Sequence, residues 1–189
     1  MFELEAFIED CLRLSREPHA PRRVLERMRE AMADTASVAK GVTPLDAKVG
    51  VLDAPLYRSP ELTVLNVTLR PGILSIAHDH RMWAVIGIYA GEEINTFYRR
   101  QDDGSLEEAN HRTIHAGESM LLGEDVIHAI ENPLPTPTLG LHVYGGDLLG
   151  GAGRRMWDPQ GKAEHAYETQ QFYRWSREKA EARKAAAAG

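Results

Sequence analysis

A single cysteine, Cys11, leaves this 189-residue chain unable to form an internal disulfide. That fits a reducing compartment, and a cytoplasmic location is expected. Cys11 falls within an apolar helical pattern and reads as a buried structural thiol. No run of about 18 apolar residues occurs, so a hydrophobic membrane-spanning helix is not expected. The opening "MFELEAFIEDCLRL" is acidic and amphipathic, unlike a secretory signal. Positive charge is in deficit. With 22 Lys and Arg against 28 Asp and Glu, the formal net charge is −6, and general nucleic-acid binding is not expected. There is no internal repeat, and the one low-complexity stretch is the terminal alanine run.

What is present has the texture of an ordinary globular chain, 43% hydrophobic and 26% charged. The length fits one domain with a sizeable core and a helical appendage. Residues 2–40 read as helical. Phe2, Leu4, Phe7, Ile8, Cys11 and Leu12 recur at helical spacing. Pro18 and Pro21 interrupt that helix, and Pro21 opens a second one with Val24, Leu25 and Met28 on one stripe. Gly41 and Pro44 mark its end.

From Leu62 onward the pattern becomes β. "LTVLNVTL" alternates, and "WAVIGIYAGEEINTFYRR" reads as two strands joined at Ala90-Gly91. "QDDGS" is a turn. "HRTIH", "ESMLL", "VIHAIEN" and "TLGLHVYGG" follow as short strands, which predicts an antiparallel sandwich or barrel. The tail from Tyr167 favours a helix that docks near Phe172, Tyr173 and Trp175 and then frays. The expected organisation is one globular unit: helices over 1–45, a barrel over 46–160 and a helical extension over 161–189.

His78 and His80 close an apolar run in "ILSIAHDHRMW". On a strand, residues i and i+2 face the same side, so two imidazoles converge on one point, as a metal ion requires. Exposed histidines at a strand edge would give the same pattern. His128 in "GEDVIHAIEN" and His142 in "GLHVYGG" lie on further β segments. His19, His111, His115 and His165 read as surface residues.

Gly72, His78, His80, Ala84 and Gly91, followed by His128 and Asn132, resemble the two motifs of the cupins. The resemblance implies a mainly β double-stranded β-helix, a jelly-roll barrel, with N-terminal helices and a C-terminal helical tail. It places metal ligands at His78, His80 and His128. The usual ligand Glu is replaced by Ala84, which has no ligand atom. A three-histidine cupin is similar to the thiol dioxygenases of the cysteine and 3-mercaptopropionate dioxygenase group, particularly their bacterial branch. "HDHRMWAVIGIYAGEE" and "LHVYGGD" carry that similarity, which extends over residues 20–158. The implied cofactor is one Fe(II) per chain, and the implied partners are a small thiol and O₂.

The same resemblance implies a Ser-x-His-x-Tyr strand beside the metal, matched here by Gly140, His142 and Tyr144. Gly140 has no hydroxyl, so the relay is truncated unless water or Thr138 replaces it. No Cys–Tyr crosslink is expected, because Cys11 is remote in sequence. An Arg ahead of the barrel holds the substrate carboxylate in the family, which points to Arg58 and Tyr57 in "LYRSPELT"; Arg81 and Trp83 are alternative pocket residues. Two other readings stay open. One is a different three-histidine cupin dioxygenase, such as one cleaving a β-diketone. The other is a non-enzymatic cupin that binds a metal or small ligand.

Overall fold

The computed structural model describes residues 1–42, 55–150 and 153–188. Three helices lead the chain: α1 (Leu4–Ser15), α2 (Ala20–Met32) and α3 (Thr35–Gly41). Pro21 lies in the first turn of α2, where its missing N–H costs nothing. The second helix expected from the sequence is split at Ala33-Asp34. The Asp34 side chain accepts from the Ser37 amide and so starts a new helix there. The predicted stop at Pro44 and the expected 45/46 boundary lie outside the described residues.

Eleven strands follow among the described residues: β1 (Tyr57–Arg58), β2 (Thr63–Leu69), β3 (His78–Asp79), β4 (Ala84–Ala90), β5 (Glu92–Arg100), β6 (Leu106–His115), β7 (Ser119–Leu122), β8 (Ile127–Glu131), β9 (Thr138–Tyr144), β10 (Arg155–Trp157) and β11 (Glu164–Ala166). They form two sheets, ordered β1-β2-β9-β4-β7 and β11-β10-β3-β8-β5-β6, with antiparallel pairings throughout. This is the mainly β double-stranded β-helix expected from the sequence. The long helix α4 (Thr169–Ala188) ends the described chain. None of the described helices is long and apolar enough to cross a membrane.

Strand alternation divides the core. On β9, Leu141 and Val143 face the N-terminal helices, where Phe7, Cys11, Val24 and Met28 cover them. Gly140, His142 and Tyr144 take the opposite face, toward the inside of the barrel. There Tyr144 joins Leu65, Val67, Ile86, Ile88, Met120 and Leu122. Close approach of α2 to β4 depends on Gly87, because a Cβ there would lie 2.5 Å from the Met28 sulfur. Burial pushes the Cys11 thiol up to about 12, as befits an inert core residue.

Gly91 links β4 to β5 with φ of 78°, a left-handed turn at the Ala90-Gly91 joint that the sequence predicts. Asn132, the asparagine of the second motif, is structural. Its amide donates to the carbonyls of Leu69 and Thr136, and its oxygen accepts from the Leu134 amide.

Candidate metal centre

"HDH" works because its middle residue faces the other way. Asp79 is buried opposite the two histidines, and a buried carboxylate needs partners. Arg155 supplies them: its amide donates to Oδ1 and its Nε to Oδ2, each at 2.7 Å. That clamp docks β10 onto β3, where Met156 lies opposite His78. On its other side β3 pairs with β8, which sets His78 opposite His128.

The structure brings His78, His80 and His128 together. All three are buried, and one ring nitrogen from each lies within 4.8 Å of those of the other two. Burial is the main cause that holds the three rings neutral. His128 is pushed down to about 4, and His78 and His80 fall well below the ordinary imidazole value. Nδ1 of His128 lies 2.8 Å from the Asn95 side-chain oxygen, which can only accept. Nδ1 of His78 lies 3.3 Å from the Ile76 carbonyl. Both Nδ1 atoms therefore carry the proton, and both Nε2 atoms present lone pairs. Nε2 of His128 and Nε2 of His80 are 3.4 Å apart. Converging lone pairs with acceptor-fixed tautomers fit a divalent cation, and no carboxylate belongs to the set.

Around the cluster is a cavity of about 110 Å³, walled by Leu65, Val67, Ile73, Leu148, Phe172 and others. His142 and Tyr144 also line it. The Tyr144 and His80 rings meet nearly at right angles, centroid to centroid 5.0 Å, and the Tyr144 hydroxyl lies 3.2 Å from His142 Nδ1. Thr138 does not fill the Gly140 gap. Its hydroxyl accepts from the Glu92 amide and donates to the Glu92 carbonyl at the Gly91 turn.

Arg58 and Tyr57 are not brought to the cluster. Arg58 is exposed and forms a two-pronged ion pair with Asp147, 2.7 and 3.0 Å, while Tyr57 packs against the core beneath the N-terminal helices. The structure instead offers a residue that sequence reasoning missed. Arg154 lines the cavity with only 8% of its surface exposed. It donates to the Leu148 carbonyl and lies 3.8 Å above the Tyr167 ring. Its Nε has no partner, and no carboxylate among the described residues pairs with it.

Arg81 pairs with Asp125 at the surface, and Trp83 packs on the helix side. Neither lines the cavity. His19, His111, His115 and His165 are exposed, as expected.

No family model matches the sequence. Among solved structures, the chain is similar to a protein with a double-stranded β-helix domain from Klebsiella pneumoniae (19% identity, TM-score 0.43, 63% of this chain and 87% of that one). It is also similar to a cupin superfamily protein from Desulfitobacterium hafniense (14% identity, TM-score 0.44, 58% and 88%). A third likeness is to oxalate decarboxylase from Bacillus subtilis (19% identity, TM-score 0.38, 47% of this chain). The chain spans only 22% of the length of that decarboxylase.

Proposed function

We propose that the protein is a non-haem Fe(II) dioxygenase that uses O₂ to convert a small carboxylate-bearing thiol into its sulfinic acid. One observation carries the reading. A buried arginine without a carboxylate partner lines the same small cavity as His78 and His80, two of the three neutral, converging imidazoles. A buried cation calls for an anion, and three bare nitrogens call for a metal. A molecule with a carboxylate at one end and a thiol at the other answers both. The small cavity limits it to a handful of heavy atoms.

The reaction is R–SH + O₂ → R–SO₂H, with both oxygen atoms passing to sulfur. A ferrous ion would be held by His78, His80 and His128; on three neutral ligands it would keep its full charge, which would favour a thiolate over a thiol and supply a centre common to sulfur and O₂. The protein's own residues do the rest. Arg154 holds the carboxylate through its unpaired Nε–H, and Tyr167 stacks against the guanidinium. The apolar walls exclude water and strengthen every polar contact inside. Tyr144 lines the cavity beside His80, and its hydroxyl is steadied by His142.

The test is O₂ uptake by the Fe(II)-loaded protein with 3-mercaptopropionate, cysteine, cysteamine and acetylacetone. Uptake should be fast with the two carboxylate thiols and slow with cysteamine. Uptake confined to the diketone, or none at all from a fully iron-loaded chain, would overturn the reading.

A further inference from the structure

Glu93 is fully buried inside the barrel, and the metal site does not use it. It stands on β5 two residues before Asn95, so both side chains face inward. One oxygen of Glu93 accepts from the Asn95 side-chain amide at 2.7 Å. The other has no partner and lies 3.8 Å from Nε2 of His142, which also has none. A buried, lone carboxylate oxygen and a buried, lone imidazole nitrogen thus face each other. A Cβ on Gly140 would lie 3.3 Å from that nitrogen, so the missing side chain leaves this edge of His142 open. The contacts continue at both ends: Asn95 bonds His128, and His142 bonds Tyr144 beside His80.

We propose that Glu93 is the positioning residue of this site, and that the proton it carries or lacks sets the direction of the hydrogen-bond chain through His142 to Tyr144. The two directions follow from donor and acceptor counting. With Glu93 ionised, His142 donates from Nε2, its Nδ1 is bare, and the Tyr144 hydroxyl must donate to it. With Glu93 protonated, the carboxyl donates to Nε2, and His142 carries its proton on Nδ1. Nδ1–H then donates to the tyrosine oxygen, which leaves the Tyr144 hydroxyl proton free for the cavity. Glu93 is poised between these states, because burial pushes it up to about 7 against the opposing hydrogen bond from Asn95. The other groups that face it are His142 and, beyond it, Tyr144 on β9, with His128 on β8 reached through Asn95; its β6 neighbour is the apolar Ile114. No lysine or arginine acts on it.

The effect on turnover rests on the dioxygenase reading, but the effect on His142 does not, and the test reads His142 directly. Side-chain nitrogen NMR of the metal-free 189-residue chain distinguishes the two imidazole tautomers. In the wild type, His142 should carry its proton on Nδ1 at low pH and on Nε2 at high pH, with a midpoint near pH 7. Glu93→Gln should lock it on Nδ1 at every pH. The amide oxygen must accept from Asn95, whose own orientation His128 fixes, so the amide N–H₂ faces His142. A single tautomer across the range in the wild type would overturn the proposal. So would a swap that survives in Glu93→Gln. The wild-type titration needs no variant to fold.

Discussion

Asn95 holds His128 by a 2.8 Å hydrogen bond from the ring Nδ1 to its side-chain oxygen. The same side chain donates to Glu93, so its amide cannot flip without losing both bonds. The atom that His128 offers to a metal is therefore Nε2, chosen by a residue outside the three-histidine cluster.

Metal content tests this arrangement. His128→Ala should lose most bound metal, as should His78→Ala and His80→Ala. Asn95→Ala should keep the fold and weaken metal binding by about 10- to 100-fold. His142→Ala should retain the metal, because His142 is outside the ligand cluster. Full metal retention by His128→Ala after dialysis against a weak chelator would sink the assignment.

Steady-state kinetics test the cavity arginine. Arg154→Ala should raise KM for 3-mercaptopropionate at least tenfold, the consequence of losing an ionic contact worth on the order of 2 kcal/mol. Cysteamine, which has no carboxylate, should be affected far less. Arg58→Ala should leave both substrates nearly unchanged, since Arg58 is spent on Asp147 outside the cavity. Equal losses for both thiols in Arg154→Ala would remove Arg154 from substrate binding.

Legibility in the sequence followed periodicity. The strand texture after Leu62 and the i, i+2 pair His78 and His80 are local patterns, so they survive without any knowledge of the fold. His128, His142 and Tyr144 were reachable through motif spacing. Arg154 was not. It precedes a three-residue strand in a glycine-rich stretch with no period, and it reaches the cavity only because Arg155 clamps β10 to Asp79. Arg58 misled because position ahead of the barrel says nothing about Asp147, 89 residues away, which claims its guanidinium. Glu93 left a faint signal. It shares parity with Asn95 and with Phe97, whose ring stacks near His128, so polar residues occupy the inward positions of β5. A strand that turns its polar parity inward marks a site rather than a surface.

Acid should destabilise the metal-free protein. His128 and His142 are held down to about 4 and about 3, and His78 and His80 well below 6.5, mainly through burial. Above about pH 6.5 these rings are neutral in the folded and unfolded chain alike. As pH falls below that, the unfolded chain takes up protons that the folded one refuses. Each ring then costs up to about 1.4 kcal/mol per pH unit until its folded value is reached. Glu93 works in the opposite sense. Its folded value of about 7 lies above the unfolded 4.5, so its contribution is full below 4.5 and is lost as pH rises toward 7. Four rings outweigh one carboxyl, and urea denaturation should show a clear drop in stability from pH 6.5 to pH 5. Glu93→Gln should gain on the wild type at pH 8, and the gain should shrink below pH 5. A flat profile for the metal-free wild type would mean that the imidazoles are hydrated rather than buried.

The C-terminal helix should act as the end wall of the cavity. Phe172 presents its edge to His78 at 5.0 Å, centroid to centroid, and Tyr167 lies under Arg154 just before the helix begins. Docking is polar at the next turn: Ser176 accepts from the Ile76 amide at 3.2 Å, and Lys179 reaches the Ser75 carbonyl. Phe172 and Ser176, four residues apart, therefore share the face turned toward His78 and the cavity; Tyr173 also lines the cavity but is partly exposed, and Trp175 packs on His165. Removing the Phe172 ring opens space where a longer substrate would run into the helix. Phe172→Ala should raise kcat/KM for the thiol acid one methylene longer, relative to 3-mercaptopropionate, by about tenfold, the usual discrimination an apolar pocket makes per methylene. Metal content should stay near that of the wild type, because Phe172 donates no ligand atom. An unchanged ratio between the two thiols would show that the helix closes the barrel without measuring the substrate.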